Sequence, residues 1–203
     1  MAHPTAEPRT RLSAPQRRSQ LLDVAGRLFA DHSYHGLSME QLADAAGVSK
    51  PVLYQHFPSK RALYLALVHD ATAELESQVR TALAGTTDNR ARVERAIGVY
   101  FDFVEDRRFQ LLFDMPALND AGVRDAVEGV VARIAHAVGQ LIAADAGVSA
   151  AAADILAMGV LGLATEGARW QLEHGGVDKA EAVRLLARLA WRGLGSFAPD
   201  ARS

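Results

Sequence analysis

Between Ser38 and Lys60 the chain reads SMEQLADAAGVSKPVLYQHFPSK, a stretch that admits little besides two short helices joined by a tight turn. Ser38 suits an N-cap, and Gln41 follows three residues later, the spacing of a capping box. Leu42, Ala43 and Ala46 give the first helix a small apolar face. Gly47 can take the left-handed conformation that ends a helix cheaply, and Val48 then plugs the space between the helices. Ser49 is the next N-cap, and Pro51 falls in the first turn, where its missing N–H costs nothing. The second helix, expected over about 49–57, buries Val48, Leu53 and Phe57 and turns Lys50, Val52, Tyr54, Gln55 and His56 outward. Such a unit can lay its second helix in a DNA major groove.

Each outward residue has a task in that setting. Lys50 and Lys60 can neutralise phosphates, and Lys60 opens the next helix, whose N–H groups also attract anions. Tyr54 and His56 can hydrogen-bond phosphate oxygens, which fixes register without reading sequence. Gln55 suits adenine and Lys50 suits guanine, while Pro51 and Val52 can approach a thymine methyl. The alternative is that Tyr54 and His56 merely cover a neighbouring helix.

The segment resembles the DNA-binding domain of the TetR family of bacterial transcriptional regulators over about residues 16–65. The matching residues are Ala25, Phe29, Tyr34, Ser38, Leu42-Ala43, Ala46-Gly47-Val48-Ser49, Leu53-Tyr54, His56-Phe57 and Ser59-Lys60. The resemblance implies DNA contacts at Ser38, Lys50, Pro51, Tyr54, Gln55, His56 and Lys60. Ser33 departs from the pattern, which has Gly just after the first helix.

Charge supports a DNA-binding end. The whole chain carries −2, but residues 1–62 hold eight Lys/Arg against five acids, net +3, and the remainder holds 14 against 19, net −5. That asymmetry concentrates positive potential at one end. Absence of cysteine excludes disulfides and thiolate metal sites. The N-terminus lacks the apolar core of a signal peptide, and the longest apolar run, Ile155 to Ala164, is too short to span a bilayer. The expectation is a cytoplasmic protein with no membrane contact and no cofactor.

Periodicity is helical throughout, so the expected fold is all-α with nine helices. Residues 1–12 read as a disordered arm, whose Arg9 and Arg11 either enter a minor groove or stay in solvent. Residues 13–60 form the helix-turn-helix domain, starting at Ser13 and Pro15, and 61–203 form a ligand-binding and dimerisation domain. Ser59 caps a long helix to about Ala84; a fifth runs from about Asn89 to Asp106; a short sixth spans Phe109 to Met115. The seventh carries Val123, Val130, Ile134 and Val138 and ends at Gly147; Ser149 starts the eighth; Asp178 and Glu181 open the ninth.

The eighth and ninth helices, about 149–173 and 178–195, suit a two-fold four-helix interface, because the eighth is rich in Ala and Gly. A homodimer reads two half-sites together; the alternative is an internal bundle contact. The middle of the chain is aromatic, with Phe103, Phe109 and Met115 among its large residues. The resemblance implies a small-molecule cavity among the fourth to eighth helices. Its expected lining is Tyr100, Phe101, Val104, Phe113, Ile134, Val138, Met158, Leu161, Thr165 and Trp170; any single one of them is more often plain core. A narrower likeness, carried by KPVLYQHFPSK, TTDNR and FDFVE, is to actinobacterial regulators of fatty-acid synthesis genes. It implies a long-chain acyl-CoA effector and, for some members, activation rather than repression.

The leading reading is a regulator whose operator binding a small apolar effector releases or retunes. A ligand-independent architectural DNA binder is the alternative. An enzyme is disfavoured, because the seven histidines form no metal or nucleophile motif. His136, isolated among apolar neighbours, reads as a core or cavity histidine.

Overall fold

Local capping sets most of the helix boundaries. The computed structural model describes residues 12–32, 34–106 and 119–194. Among these residues there are eight α-helices, one 3-10 turn and no strand. The helices are α1 (Ala14–Asp31), α2 (Met39–Ala45), α3 (Lys50–His56), α4 (Lys60–Ala84), α5 (Asn89–Glu105), α6 (Ala121–Ala146), α7 (Ala150–His174) and α8 (Lys179–Leu194), with the 3-10 turn at Tyr34–Gly36. The architecture is all-α, as the periodicity implied. The short helix expected at Phe109–Met115 lies outside the described residues, so α6 to α8 are the expected seventh to ninth helices. Ser33, Arg9 and Arg11 also lie outside them.

Ser13 and Gln16 form one reciprocal capping box at the start of α1, and Ser38 and Gln41 form another at α2. Ser59 and Ser149 accept from Ala62 N and Ala152 N, starting α4 and α7. Asp88 and Asp120 cap α5 and α6, each accepting from two backbone N–H groups. Asp178 accepts from Glu181 N at 2.9 Å at the start of α8. Each such bond satisfies an N–H that the helix leaves unpaired, worth ~1 kcal/mol.

In the N-terminal unit α1 packs on α2 and α4, with Leu21, Leu22, Ala25 and Phe29 buried. Phe29, Tyr34 and Tyr64 make a mutual aromatic cluster, with centroid distances of 4.9–6.1 Å, that ties α1 and the 3-10 turn to α4. The remaining helices form a bundle in which α6 lies against α4 and α7, and α5 packs on α4, α7 and α8. The small residues of α7 serve this bundle: Ala153, Ala157, Ala164 and Ala168 are all buried in its core. At Gly167 the approach of α8 is so close that a Cβ would lie 2.3 Å from Leu186 Cδ1. Those alanines and Gly167 therefore pack inward, while Gly159 and Gly162 are exposed on α7, as are Ile155, Met158, Trp170 and Leu172 on α7 and Leu185 and Leu189 on α8.

Two expectations change here. By length and composition, α6 and α7 are apolar enough to cross a bilayer, although no uninterrupted run reaches that length. Only part of that character is buried between packed helices, as Ala135, Gly139 and Ala146 are on α6. His136 is an exposed residue, its side chain 67% accessible, with Nδ1 3.9 Å from Asp154 and Nε2 3.0 Å from Gln140. Its helical phase turns it away from Ile134 and Ala135, which are buried.

Candidate nucleic-acid interface and internal cavity

The turn between α2 and α3 is built from backbone geometry. Gly47 sits at φ +64, the left-handed region that a side chain disfavours. Val48 N donates to Ala43 O and Gly47 N to Asp44 O, both at 3.0 Å, the paired bonds of a Schellman ending. Val48 is half-buried between the helices. Ser49 takes the N-cap backbone conformation of α3, but its side chain makes no capping bond. Pro51 removes one of the donors that would otherwise need a partner there.

Leu53 and Phe57 fix α3 to the core at 1% and 2% exposure. That anchoring leaves a contiguous outer flank. Ser49, Lys50, Pro51, Tyr54 and Gln55 are exposed, and Val52 and His56 are half-buried. Ser38 is exposed at the start of α2, its hydroxyl engaged by Gln41 N at 3.2 Å. Lys50 lies 3.8 Å from Glu40, an exposed pair that solvent screens. Tyr54 is 42% exposed, so part of its ring faces solvent.

Lys60 departs from its expected place. Its ammonium donates to Tyr34 O and Leu37 O, both at 2.9 Å, and stands 4.6 Å over the Tyr34 ring. Two of its three protons are therefore spent on carbonyls at the start of the 3-10 turn and just past its end. Arg18 on α1, which the motif did not single out, stands 4.6 Å over the Phe57 ring and brings a cation to the C-terminal end of α3. Only the folded juxtaposition of α1 and α3 reveals it.

Below this unit, Arg61 in the first turn of α4 donates to both carboxylate oxygens of Asp120, at 2.5 and 2.8 Å. These bonds, with those from the N–H groups of Gly122 and Val123, hold the Asp120 carboxyl below the usual carboxylate range.

Within the bundle, residues of α4 to α8 line a partly open cavity of about 330 Å³. Tyr100, Ile134, Val138 and Leu161 of the expected lining face it, joined by Val79, Leu83, Val93, Ile97 and Trp191. Phe101 and Val104 are buried elsewhere in the core, and Phe113 lies outside the described residues. Met158 and Trp170 are 48% and 64% exposed, and Thr165 is half-buried without reaching the cavity. Trp170 stacks on His174 instead, ring centroids 3.8 Å apart. The buried stripe of α7 runs 153, 157, 161, 164, 168, so positions 158, 165 and 170 fall on other faces. One end of the cavity is polar: Asn89 donates to Asp145 at 2.6 Å, and Arg92 is engaged by Leu83 O, Thr86 O and Asn89 Oδ1. A groove between α5 and α8 is lined by Arg90, Arg184 and Arg188 with Glu94 and Glu181.

Comparison with known proteins places this arrangement. The profile of the bacterial regulatory proteins of the tetR family matches residues 21–67. The chain is 40% identical over 196 residues to the HTH-type transcriptional activator FasR of Mycolicibacterium smegmatis, covering 95% of this chain and 89% of that protein. A TetR-like transcriptional regulator from Rhodococcus sp. RHA1 superposes with a TM-score of 0.72 at 26% identity, over 91% of this chain and 99% of that one. AibR, solved in complex with isovaleryl coenzyme A and operator DNA, shares the fold at TM-score 0.69 and 18% identity, over 85% and 97% of the two chains. The chain belongs to the TetR family of bacterial transcriptional regulators, and is a regulator rather than an enzyme.

Proposed function

We propose that this regulator binds a palindromic operator as a homodimer, and that a small apolar effector in the α4–α8 cavity retunes that binding. The observation that carries the DNA half is the outer flank of α3, left free by a Schellman turn and two fully buried anchors. Lys50 and Gln55 read base edges, Pro51 and Val52 approach thymine methyls, and Ser38, Ser49, Tyr54 and His56 hold phosphates. Lys60 acts at one remove, holding the 3-10 turn in place. Residues 13–60 form the DNA-binding domain and 61–203 the effector and dimer domain. Such a regulator works in the cytoplasm, where the DNA is.

The exposed apolar residues of α7 and α8 support a four-helix dimer seam, since so many large apolar groups on two adjacent helices favour burial against a second copy. The effector is a long-chain acyl-CoA or a close chemical relative. Its chain suits the apolar walls, and its phosphates suit Arg90, Arg184 and Arg188, because Arg92 is already engaged. The Arg61–Asp120 pair joins the first turn of α4 to the start of α6 and offers a route between cavity and DNA surface.

Quantitative footprinting on a selected operator, with acyl-CoAs of increasing chain length, tests this. A discrete palindrome is expected, with affinity shifted ~5- to 150-fold at a preferred length, the usual range of coupling between two sites. Gln55→Ala should relax preference at one base pair per half-site. Length-dependent coating of random DNA, unmoved by every acyl-CoA, would overturn the reading in favour of an architectural role.

A further inference from the structure

Tyr100, in the wall of the cavity, carries a polar atom that nothing satisfies. Tyr100 is 7% exposed, lines the cavity, and its hydroxyl is buried without a hydrogen-bond partner among the described residues. Phenylalanine would fill the same volume without that penalty, so the hydroxyl carries a cost unless something pairs with it. Burial pushes the phenol well above its ordinary range, leaving a neutral O–H that can donate as well as accept.

The other side-chain polar groups of the described lining, apart from the Trp191 indole, lie at the Asn89–Asp145 end. Asn89 and Tyr100 are eleven residues apart on α5, so their Cα atoms are separated by roughly 16 Å along the helix. Val93, Ala96 and Ile97 line the stretch between them. A bridging water at Tyr100 would need two or more further polar partners, and the walls there offer few.

From this geometry we propose that Tyr100 is a specificity-determining residue that hydrogen-bonds an oxygen carried partway along the effector's chain. The effector is a two-site amphiphile: a polar head at the Asn89 end and a chain hydroxyl, keto or ether oxygen at Tyr100, with hydrocarbon between. This deepens, and rests on, the proposed reading of the cavity as an acyl-chain site. An unsubstituted chain enters the cavity but leaves the Tyr100 hydroxyl unpaired.

Calorimetric titration of the full-length protein and its Tyr100→Phe variant tests the assignment. The probes are palmitoyl-CoA and isomers of hydroxypalmitoyl-CoA with the hydroxyl moved along the chain. In the wild type, an isomer with the hydroxyl at one chain position should bind about ten-fold tighter than palmitoyl-CoA. In Tyr100→Phe that preference should vanish, while palmitoyl-CoA binds at least as tightly as in the wild type. Thermal melting controls for folding, and the isomer scan on the wild type stands whatever the variant does. No isomer outperforming the plain chain, or a preference that survives Tyr100→Phe, overturns the proposal. Equal weakening of all chains by Tyr100→Phe places the head group's own oxygen on Tyr100 and overturns the two-site assignment. If no chain binds the wild type at all, the acyl reading itself fails and this inference falls with it.

Discussion

The N-terminal unit and the α4–α8 bundle solve opposite problems with the same element. In the first, short helices are held by reciprocal caps, a left-handed glycine and two anchors, so that one flank of α3 stays uncovered. In the second, long helices with alanine and glycine on their inner faces pack closely, yet leave a cavity of about 330 Å³ with a lone hydroxyl in its wall. The contrast teaches that the caps at the helix ends are placed by rules local in sequence. The ties between elements, Lys60 to the 3-10 turn and Arg61 to Asp120, are placed by partners far away in sequence.

The sharpest way to break the comparison is at an anchor. Phe57→Ala should cost ~3–5 kcal/mol of unfolding free energy, the range for a buried aromatic, and abolish operator binding. Denaturant unfolding and gel mobility shift measure both. A loss below ~1 kcal/mol would mean that α3 is held by something other than its buried side. Next in size is Lys60→Met, which removes two charge-assisted bonds and should cost ~1–3 kcal/mol while leaving the salt dependence of DNA binding nearly unchanged. Lys50→Ala is its counterpart on the open flank. Stability should hold within ~0.5 kcal/mol, but the slope of log affinity against log salt should become shallower by about one unit if its ammonium neutralises a phosphate. If the two lysines exchange these behaviours in salt titrations, the assignment of inside and outside is reversed.

The smallest effect lies at the joint between the regions. Asp120 has a folded pKa depressed chiefly by Arg61, so its bridge stabilises fully above the unfolded value, about 3.9. That contribution is lost as pH falls through the folded value. Melting temperature followed from pH ~5 down to ~2 should therefore drop more steeply in the wild type than in Asp120→Asn. Parallel curves would show that the pair is too solvated to matter.

The two regions are not equally legible in the sequence. Ser13, Ser38, Gly47, Pro51 and Ser59 act on neighbours within a few residues, so their roles follow from spacing alone. Ser49 departs only in its side chain, because the backbone takes the cap without it. Lys60 escapes such reading because its acceptors lie 23 and 26 residues away, on a turn that only the folded aromatic cluster brings near. In the bundle, residue type is a weaker guide than helical phase. Met158 and Trp170 look like cavity residues by chemistry, yet they project outward, while Trp191, on a helix expected to pair with a second chain, lines the cavity. The Arg61–Asp120 pair spans 59 residues and has no local signature.

Helix α4 runs unbroken from Lys60 to Ala84 and belongs to both regions. Its first residue grips the turn beside the DNA unit, and Val79 faces the cavity. The nineteen residue steps between these points make a rod of roughly 29 Å at 1.5 Å per residue. A pivot of only ~5° about one end would sweep the other by ~2.5 Å, about three-quarters of the rise of one base-pair step. In the dimer proposed above, a stiff strut of this kind would turn the filling of the cavity into a change of stride between two reading heads, without any hinge having to melt.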